Sequence, residues 1–580
     1  MKRFITALGL TMAVASVGWA ADAQRPFVPV SDAMIRNPPP DDWLMWRRTQ
    51  DSWGYSPLKQ INRRNVAKLQ LVWSRGMVQG VQESTPLVHD GIMYLANPGD
   101  IIQAIDAVSG DLIWEYRRQW PADITKVFPF PYAKRNIAIY DNLIIDTSAD
   151  DHLFALDART GKIVWDTQIL DYKKNSAQQT AGPLIVNGKA ITGRGCEPKG
   201  GPDACVITAH DARTGKELWR THTIPNKGEP GDDSWGDVPY ESRWHVGSWM
   251  VPSYDPELNL IYMGTSVTSP APKFMLAGND KKYLYHNSTL ALDANTGKIV
   301  WYYQHVVDHW DMDHPFERLL IDTAVTPNAK EVTWINPKLK AGEKRKVLTG
   351  IPGKTGIVYT LDRKTGEFLW ARPTVKQNIV GNIDGATGEV TVNPEVTFHA
   401  AGESHEVCPV SGGKNWPAGA YSPLTHTMYF PLQNACGTVT PIMDKPSLDS
   451  LYGVTMDTKP VEGENNIGTV QAIAVDTGAL IWKYQQRAAT FSLVATGGEL
   501  LFGGDVNGRF RGLDQHTGKV LWEINLGSPL SGYPITYAVN GKQYVAVSSG
   551  STLSLGQAAR LTPELHPSVG NNIFVFALPN

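Results

Sequence analysis

One pattern recurs seven times along this chain: a small residue, an apolar residue, Asp, two variable positions, Thr or Ser, Gly, three further positions and Trp. The copies fall at residues 104–114, 155–165, 209–219, 291–301, 360–370, 472–482 and 512–522. The copy at 472–482 departs by carrying Ala474 where the others have Asp. Asp and Thr side chains hydrogen-bond the local backbone of a tight turn, and Gly takes the positive φ. The flanks alternate and are rich in β-formers, so each copy predicts a hairpin joining two strands. The terminal Trp is too large for one hairpin to bury and must dock on a neighbouring copy. Spacings of about 50 residues, stretched to 80–110 where loops intrude, fit one four-stranded blade per copy. Helical patterning is scarce. The expected class is all-β, with blades arranged radially as a β-propeller. An eighth blade closes if an early strand near Trp43–Trp73 meets the final strand 572–578. No linker or composition shift marks a second domain, so residues 24–580 read as a single eight-bladed unit. The 19 Trp of the composition are largely a product of the repeat.

Residues 1–23 read as a secretory signal: Met1-Lys2-Arg3, an apolar run from Phe4 to Val17, then small residues with cleavage after Ala20 or Ala23. The run is too short for a membrane anchor, and no other stretch is long and apolar enough to span a bilayer. An exported protein in the periplasm is expected. The four cysteines, Cys196, Cys205, Cys408 and Cys436, favour two disulfides in that compartment. Neighbours in sequence suggest Cys196–Cys205 and Cys408–Cys436. A four-thiolate metal site is the alternative, disfavoured because no Cys-x-x-Cys pair exists. Nor is there a Cys-x-x-Cys-His for covalent haem. The formal charge of -3, without a basic stripe, argues against nucleic acid.

One copy is extended by a charged loop, His305-Val306-Val307-Asp308-His309-Trp310-Asp311-Met312-Asp313-His314. A repeat scaffold with one decorated loop is where chemistry is expected. The repeated Asp-x-x-Thr-Gly-x-x-x-Trp hairpin, the Trp310-Asp311 loop and several further segments resemble the quinoprotein alcohol dehydrogenases of the methanol/ethanol type. The resemblance covers essentially the whole mature chain, in the form without a fused cytochrome c domain. It implies pyrroloquinoline quinone (PQQ) and a metal ion on an eight-bladed propeller. It also implies oxidation of an alcohol and passage of electrons to an external cytochrome c.

Residue by residue, the resemblance implies the following. Trp249, in Gly247-Ser248-Trp249-Met250, matches the indole floor under the quinone. Glu197, in Gly195-Cys196-Glu197, matches a metal-binding glutamate, and a Cys196–Cys205 bridge would stiffen its loop. Asp311 matches the catalytic aspartate, which takes the alcohol proton while hydride passes to the quinone. Lys354, in Gly353-Lys354-Thr355-Gly356, matches the cation beside the quinone oxygen. Those residues also mimic the end of a phosphate loop, but Leu348 stands where that loop needs Gly. Glu83, Arg135, Thr180, Asn415 and the adjoining Trp416 fall at positions similar to cofactor contacts, with Arg135 and Thr180 meeting carboxylates of PQQ. A disulfide Cys408–Cys436 would bracket the Asn415 loop. Asp313, two residues beyond Asp311, resembles the lanthanide-dependent branch. On an extended segment both carboxylates face one way, so Glu197, Asp311 and Asp313 would balance a trivalent ion, with Ca2+ the other choice.

Three departures stand out. Pro129-Phe130 replaces the family's paired cysteines. Val267 stands where the family has a metal-ligating asparagine, leaving Thr268 or Ser266 as a replacement donor. Thr490 stands where a tryptophan narrows the substrate funnel, which points to an alcohol bulkier than methanol or ethanol. Two other readings of the repeats are a non-catalytic propeller scaffold for assembly or binding, and a propeller hydrolase working through a metal-bound water. A scaffold has no need of Glu197, Asp311 and Lys354 together.

Overall fold

The computed structural model of the chain describes residues 27–127, 133–445, 450 and 452–579. The expected signal at 1–23 and Pro129-Phe130 lie outside them. Each hairpin turn is closed from within. Asp157 Oδ1 accepts from the N–H groups of Arg159 (3.1 Å) and Thr160 (2.9 Å), and Asp106, Asp211, Asp293, Asp362 and Asp514 do the same. In the Ala474 copy the side-chain bonds are lost, but the backbone bond from Gly478 N to Ala474 O remains at 2.9 Å.

The hairpin glycine has a second duty. At Gly161, φ is +68° and an added Cβ would stand 2.5 Å from Cε3 of Trp114 on the preceding sheet. The indole N–H of Trp114 donates to Ala158 O at 3.0 Å. Glycine is thus the seat on which the previous Trp docks. The same docking joins Trp73 to Gly110, Trp165 to Gly215, Trp219 to Gly297, Trp301 to Gly366, Trp370 to Gly478 and Trp482 to Gly518. Trp522 Nε1 then donates to Leu69 O at 3.2 Å, beside the strand Gln70–Gly76 that carries Trp73. The chain of dockings returns to its start.

Among the described residues, eight sheets of four or five strands are so linked, antiparallel throughout except where the short strand Tyr55–Ser56 lies parallel to Thr490–Thr496. The first runs Leu87–His89, Ile92–Asn97, Ile101–Asp106, Leu112–Arg117. In the last, Gln70–Gly76 pairs with Asn572–Ala577, which continues through Lys542–Ser549 to Ile535–Val539. The early strand therefore pairs with the final strand in one sheet, as the sequence indicated. Inner strands such as Ile92–Asn97 are buried along their length, while outer strands such as Leu112–Arg117 are mostly exposed. Sheets packed face to face cover both faces of the inner strands.

The turn at Asp384 repeats the chemistry without a tryptophan: Asp384 accepts from Ala386 and Thr387, and Tyr303 donates to Gly388 O at 2.7 Å. A pattern keyed on Trp passes it over. Both disulfides, Cys196–Cys205 and Cys408–Cys436, are formed. No described helix is long and apolar enough to cross a membrane.

Candidate active site

Loops from several sheets enclose a cavity of about 410 Å³. Of the residues singled out from the sequence, Arg135, Thr180, Glu197, Trp249, Asp311, Asp313, Lys354, Asn415 and Trp416 all line it. They come from positions up to 281 residues apart in the chain (416 minus 135), so the fold alone brings them together.

The decorated loop is shaped by Asp308. This buried carboxylate accepts from Trp310 N (2.6 Å), Met312 N (3.1 Å) and Asn287 Nδ2 (2.9 Å). The loop then places Trp310 and Met312 in the core and turns Asp311 and Asp313 to the cavity. The loop histidines are structural. His305, His309 and His314 are buried, and burial holds their pKa values far below the usual imidazole range. His305 and His314 stack at 4.9 Å. A Cβ on Gly353 would stand 2.2 Å from the His314 ring. This close approach seats the next residue, Lys354, over the two aspartates.

Lys354 Nζ donates to Asp311 Oδ1 (2.5 Å) and Asp313 Oδ2 (3.1 Å). Asp313 is held further by Trp249 Nε1 (3.2 Å) and Val267 N (2.9 Å). The two carboxylates consequently differ. Burial pushes Asp311 up to about 6, with Lys354 opposing and Asp313 adding to the rise. Burial acts on Asp313 too, but Lys354, His245 and the Val267 N–H outweigh it and hold Asp313 below the usual carboxylate range. Burial disfavours the Lys354 ammonium, yet Asp311 and Asp313 hold its pKa above the ordinary lysine value. Paired carboxylates with separated affinities for a proton are the arrangement general-base chemistry uses.

Glu197 sits on the loop stapled by Cys196–Cys205. Its Oε1 accepts from Gln178 Nε2 at 2.6 Å. Burial raises its pKa, with His245 and Gln178 opposing. Among the described residues, no three His, Cys, Asp or Glu side chains converge closely enough to cage an ion. The three carboxylates stand around the cavity instead, two of them bridged by Lys354.

The Arg135 guanidinium carbon lies 4.9 Å from the centre of the Trp249 ring system, and Lys354 Nζ lies 5.9 Å from it. Arg135 Nη2 donates to Glu83 Oε2 at 2.6 Å, while its Nε and Nη1 are buried without a partner. Thr180 Oγ1 donates weakly to Trp249 O at 3.5 Å. Asn415 Oδ1 accepts from Trp416 N at 2.8 Å. The Trp416 indole stacks on Phe491 at 5.8 Å.

Two expected residues stand elsewhere. Glu83 lies behind the wall: its Oε1 accepts from Thr552 Oγ1 (2.7 Å) and Leu553 N (3.3 Å). Its place is to hold Arg135. Thr268 is buried away from the cavity, donating to Pro270 O (2.9 Å) and accepting from Lys273 Nζ (2.7 Å). Its hydroxyl is engaged there, and Thr268 is not among the residues that line the cavity. Thr490 lines only a small adjoining recess with Asn415 and Phe491. The outer wall is formed by Tyr452, Met456, Leu553 and the short helix Leu555–Leu561.

Gln178, His245 and Tyr452 were not singled out from the sequence. His245 holds a left-handed backbone (φ 72°), and its Nδ1 meets Val267 O at 3.1 Å. A carbonyl only accepts, so Nδ1 carries the proton in the neutral ring. Val267 thus positions an imidazole through its C=O and Asp313 through its N–H. His245 packs edge-on to Tyr452 at 5.7 Å.

Residues 43–406 and 437–545 match the family described as PQQ: Glucose/ethanol/alcohol dehydrogenase, beta-propeller domain. The dehydrogenase subunit of the quinone alcohol dehydrogenase of Komagataeibacter europaeus is 31% identical over 553 residues, covering 88% of this chain and 72% of that one. The quinoprotein alcohol dehydrogenase PedH of Pseudomonas putida is 30% identical over 574 residues, covering 90% and 89%. Among solved structures, a europium-containing methanol dehydrogenase superposes with a TM-score of 0.84 at 27% identity, covering 94% of this chain and 100% of that one. The family match leaves out residues 407–436, with Ser411, Asn415 and Trp416 of the cavity wall, and the residues after 545, with the short helix; over the remainder it shows that the chain belongs to the PQQ-dependent alcohol dehydrogenase family.

Proposed function

We propose that this chain oxidises an alcohol to an aldehyde or ketone in the periplasm, with PQQ and a metal ion in the cavity, and passes the electrons to an external cytochrome c. The observation that carries the reading is the pairing of Asp311 and Asp313 through Lys354, beside the Trp249 face. We read residues 24–580 as one unit of eight blades following a cleaved signal.

The residues fit both groups. A flat tricarboxylate needs an aromatic face and cations, and Trp249, Arg135 with its two orphaned buried nitrogens, and Lys354 offer them. A hard cation needs carboxylate oxygen. Glu197 is a half-buried carboxylate that accepts from the neutral amide of Gln178, and Asp311 and Asp313 line the same space. When bound, PQQ supplies the acceptor for a hydride from the alcohol carbon. In this reading Asp311 takes the hydroxyl proton, its affinity raised by burial toward the working range of a base. Lys354 places positive charge where the quinone oxygen gains electrons. Asp313, pinned by three donors, fixes Lys354. Trp249, Thr180, Asn415 and Trp416 hold the ring system, and Arg135, buttressed by Glu83, holds a carboxylate.

The ion is Ca2+ or a lanthanide. Glu197, Asp311 and Asp313 together balance a trivalent charge. Metal-free protein given PQQ and each ion in turn decides, with Asp313→Ala as comparison. Full recovery of both proteins by Ca2+, and none by La3+, would remove Asp313 from the ligands. A substrate bulkier than methanol remains our reading. Its support is the wall of Tyr452, Met456 and Leu553, with no indole at 490. A kcat/KM highest for methanol contradicts it. The experiment for the central role is Asp311→Asn: turnover is lost while PQQ is still retained. Near wild-type turnover in a PQQ-loaded variant would remove Asp311 from the mechanism.

A further inference from the structure

A second group of charges lies beneath the Trp249 floor, unused by the reaction as read above. Trp249 meets Phe316 edge-on at 5.5 Å. On Phe316 lies the ammonium of Lys414, 4.7 Å from the ring centre. Lys414 Nζ donates to Glu317 Oε2 at 2.7 Å, and the other oxygen of Glu317 accepts from Gly419 N at 2.8 Å. Arg47 reaches the same place, donating through Nη2 to Gly419 O at 2.6 Å and also to Leu493 O. Arg318 donates to His314 O (2.7 Å), Thr289 Oγ1 (3.0 Å) and Phe316 O. All four charged residues are at most 2% exposed.

The group holds three cations against one carboxylate. Burial drags Arg47 down to about 10 and Arg318 to about 9, both still cationic at neutral pH. Burial lowers Lys414 as well, with the Glu317 carboxylate opposing. Buried charge of one sign is expensive, and apolar residues of similar volume are often no less stable. Stability therefore gives no reason for a net positive group here. Its position gives one. It stands one ring layer under the indole on which, by the reading above, PQQ lies, and it is fixed by backbone carbonyls that need no reorganisation when charge arrives.

We propose that Arg47, Arg318 and Lys414, balanced in part by Glu317, form a fixed positive plug that tunes the bound quinone toward its electron-rich, reduced form. These are positioning residues acting through the field, since none lines the cavity. Reduction by a hydride adds one negative charge to the quinone until a proton joins it. The alcohol carbon loses that hydride and its hydroxyl loses the proton. A unit charge two ring layers away, through an effective dielectric of about 20, changes such an equilibrium on the order of tenfold.

The test is a redox titration of the PQQ-loaded, metal-loaded protein against mediator dyes, followed by the quinone absorbance. Lys414→Met lowers the net charge of the plug and makes PQQ harder to reduce by about tenfold, or about 30 mV for two electrons. Glu317→Gln raises the net charge and displaces the potential the other way by a similar amount. A merely structural role would move both variants in one direction, because each breaks the same buried contact. Displacement in the same direction, or coincidence of both variants with wild type, overturns the proposal. Arg47→Gln keeps a donor for Gly419 O and replaces Lys414→Met if that variant does not fold, with the same expected sign. The proposal rests on PQQ lying at Trp249. If the wild-type protein retains no titrating quinone, that reading fails. If wild type titrates and the variants coincide with it, only the plug fails.

Discussion

Glu83→Gln separates a buttress from a cofactor contact. Glu83 is fully buried and Arg135 is 2% exposed. They meet at 2.6 Å, and the other oxygen of Glu83 holds Thr552 and Leu553. Gln keeps the shape and one acceptor but removes the charge, leaving Arg135 buried without an anion. Breaking a buried pair costs about 3 kcal/mol or more. For a chain of this length that is about 3 °C in the unfolding midpoint. PQQ brings carboxylates, one of which would meet the orphaned nitrogens of Arg135. Ligand that binds only the folded state stabilises it by mass action, and it binds the variant with a partner the variant lacks. PQQ should therefore raise the midpoint more in Glu83→Gln than in wild type, closing most of the gap. Thermal unfolding of cofactor-free protein, titrated with PQQ at fixed metal, measures this. A gap unchanged or widened by PQQ would refute the claim that Arg135 receives an anion of the cofactor.

Other perturbations test separate links. Gly161→Ala meets both a positive φ and the Trp114 ring at 2.5 Å, whereas Gly541→Ala meets φ +75° with nothing within 4 Å. The first should lose about 2–4 kcal/mol and the second about 1 kcal/mol in urea unfolding, and equal losses would deny that the glycine seats the Trp. Burial pushes Asp151 up to about 8, with Gln179 and Arg194 opposing. An unfolded Asp titrates near 3.9, so between about pH 4 and pH 8 the folded state holds a proton the unfolded state has lost, and stability falls as pH rises. Asp151→Asn should remove that slope between pH 5 and pH 8, and an unchanged slope would contradict the assignment. His245→Ala should weaken metal retention, measured by metal content after dialysis, if the imidazole braces Asp313 and Glu197 in the cavity; unchanged content counts against this.

Most of the scaffold was legible because its turn chemistry is local. Asp, Thr and Gly act within five residues, and a Trp too large to bury alone announces a neighbour. The Asp384 turn escaped because Val392 stands where the repeat carries its terminal Trp. The cavity was legible in so far as the family resemblance carried it: nine of the expected residues line one space. Glu83 stood one layer behind, since a sequence position does not distinguish touching a ligand from holding the residue that does. Thr268 stands outside the lining, its hydroxyl held by Lys273 and Pro270, partners that its sequence position does not reveal. His245 gave no signal, as a left-handed backbone is visible only in three dimensions. The helix Leu555–Leu561 had one, in the run Gln557-Ala558-Ala559-Arg560 of helix-favouring residues.

The account turns on alcohol-dependent electron transfer through PQQ. Protein stripped of metal and cofactor, then given PQQ with Ca2+ or La3+, is mixed with an alcohol panel and an artificial electron acceptor whose bleaching is followed. Bleaching that requires alcohol, PQQ and an ion together, and that disappears in Asp311→Asn, is the predicted result. Protein that retains PQQ and an ion yet bleaches nothing with any alcohol would contradict it.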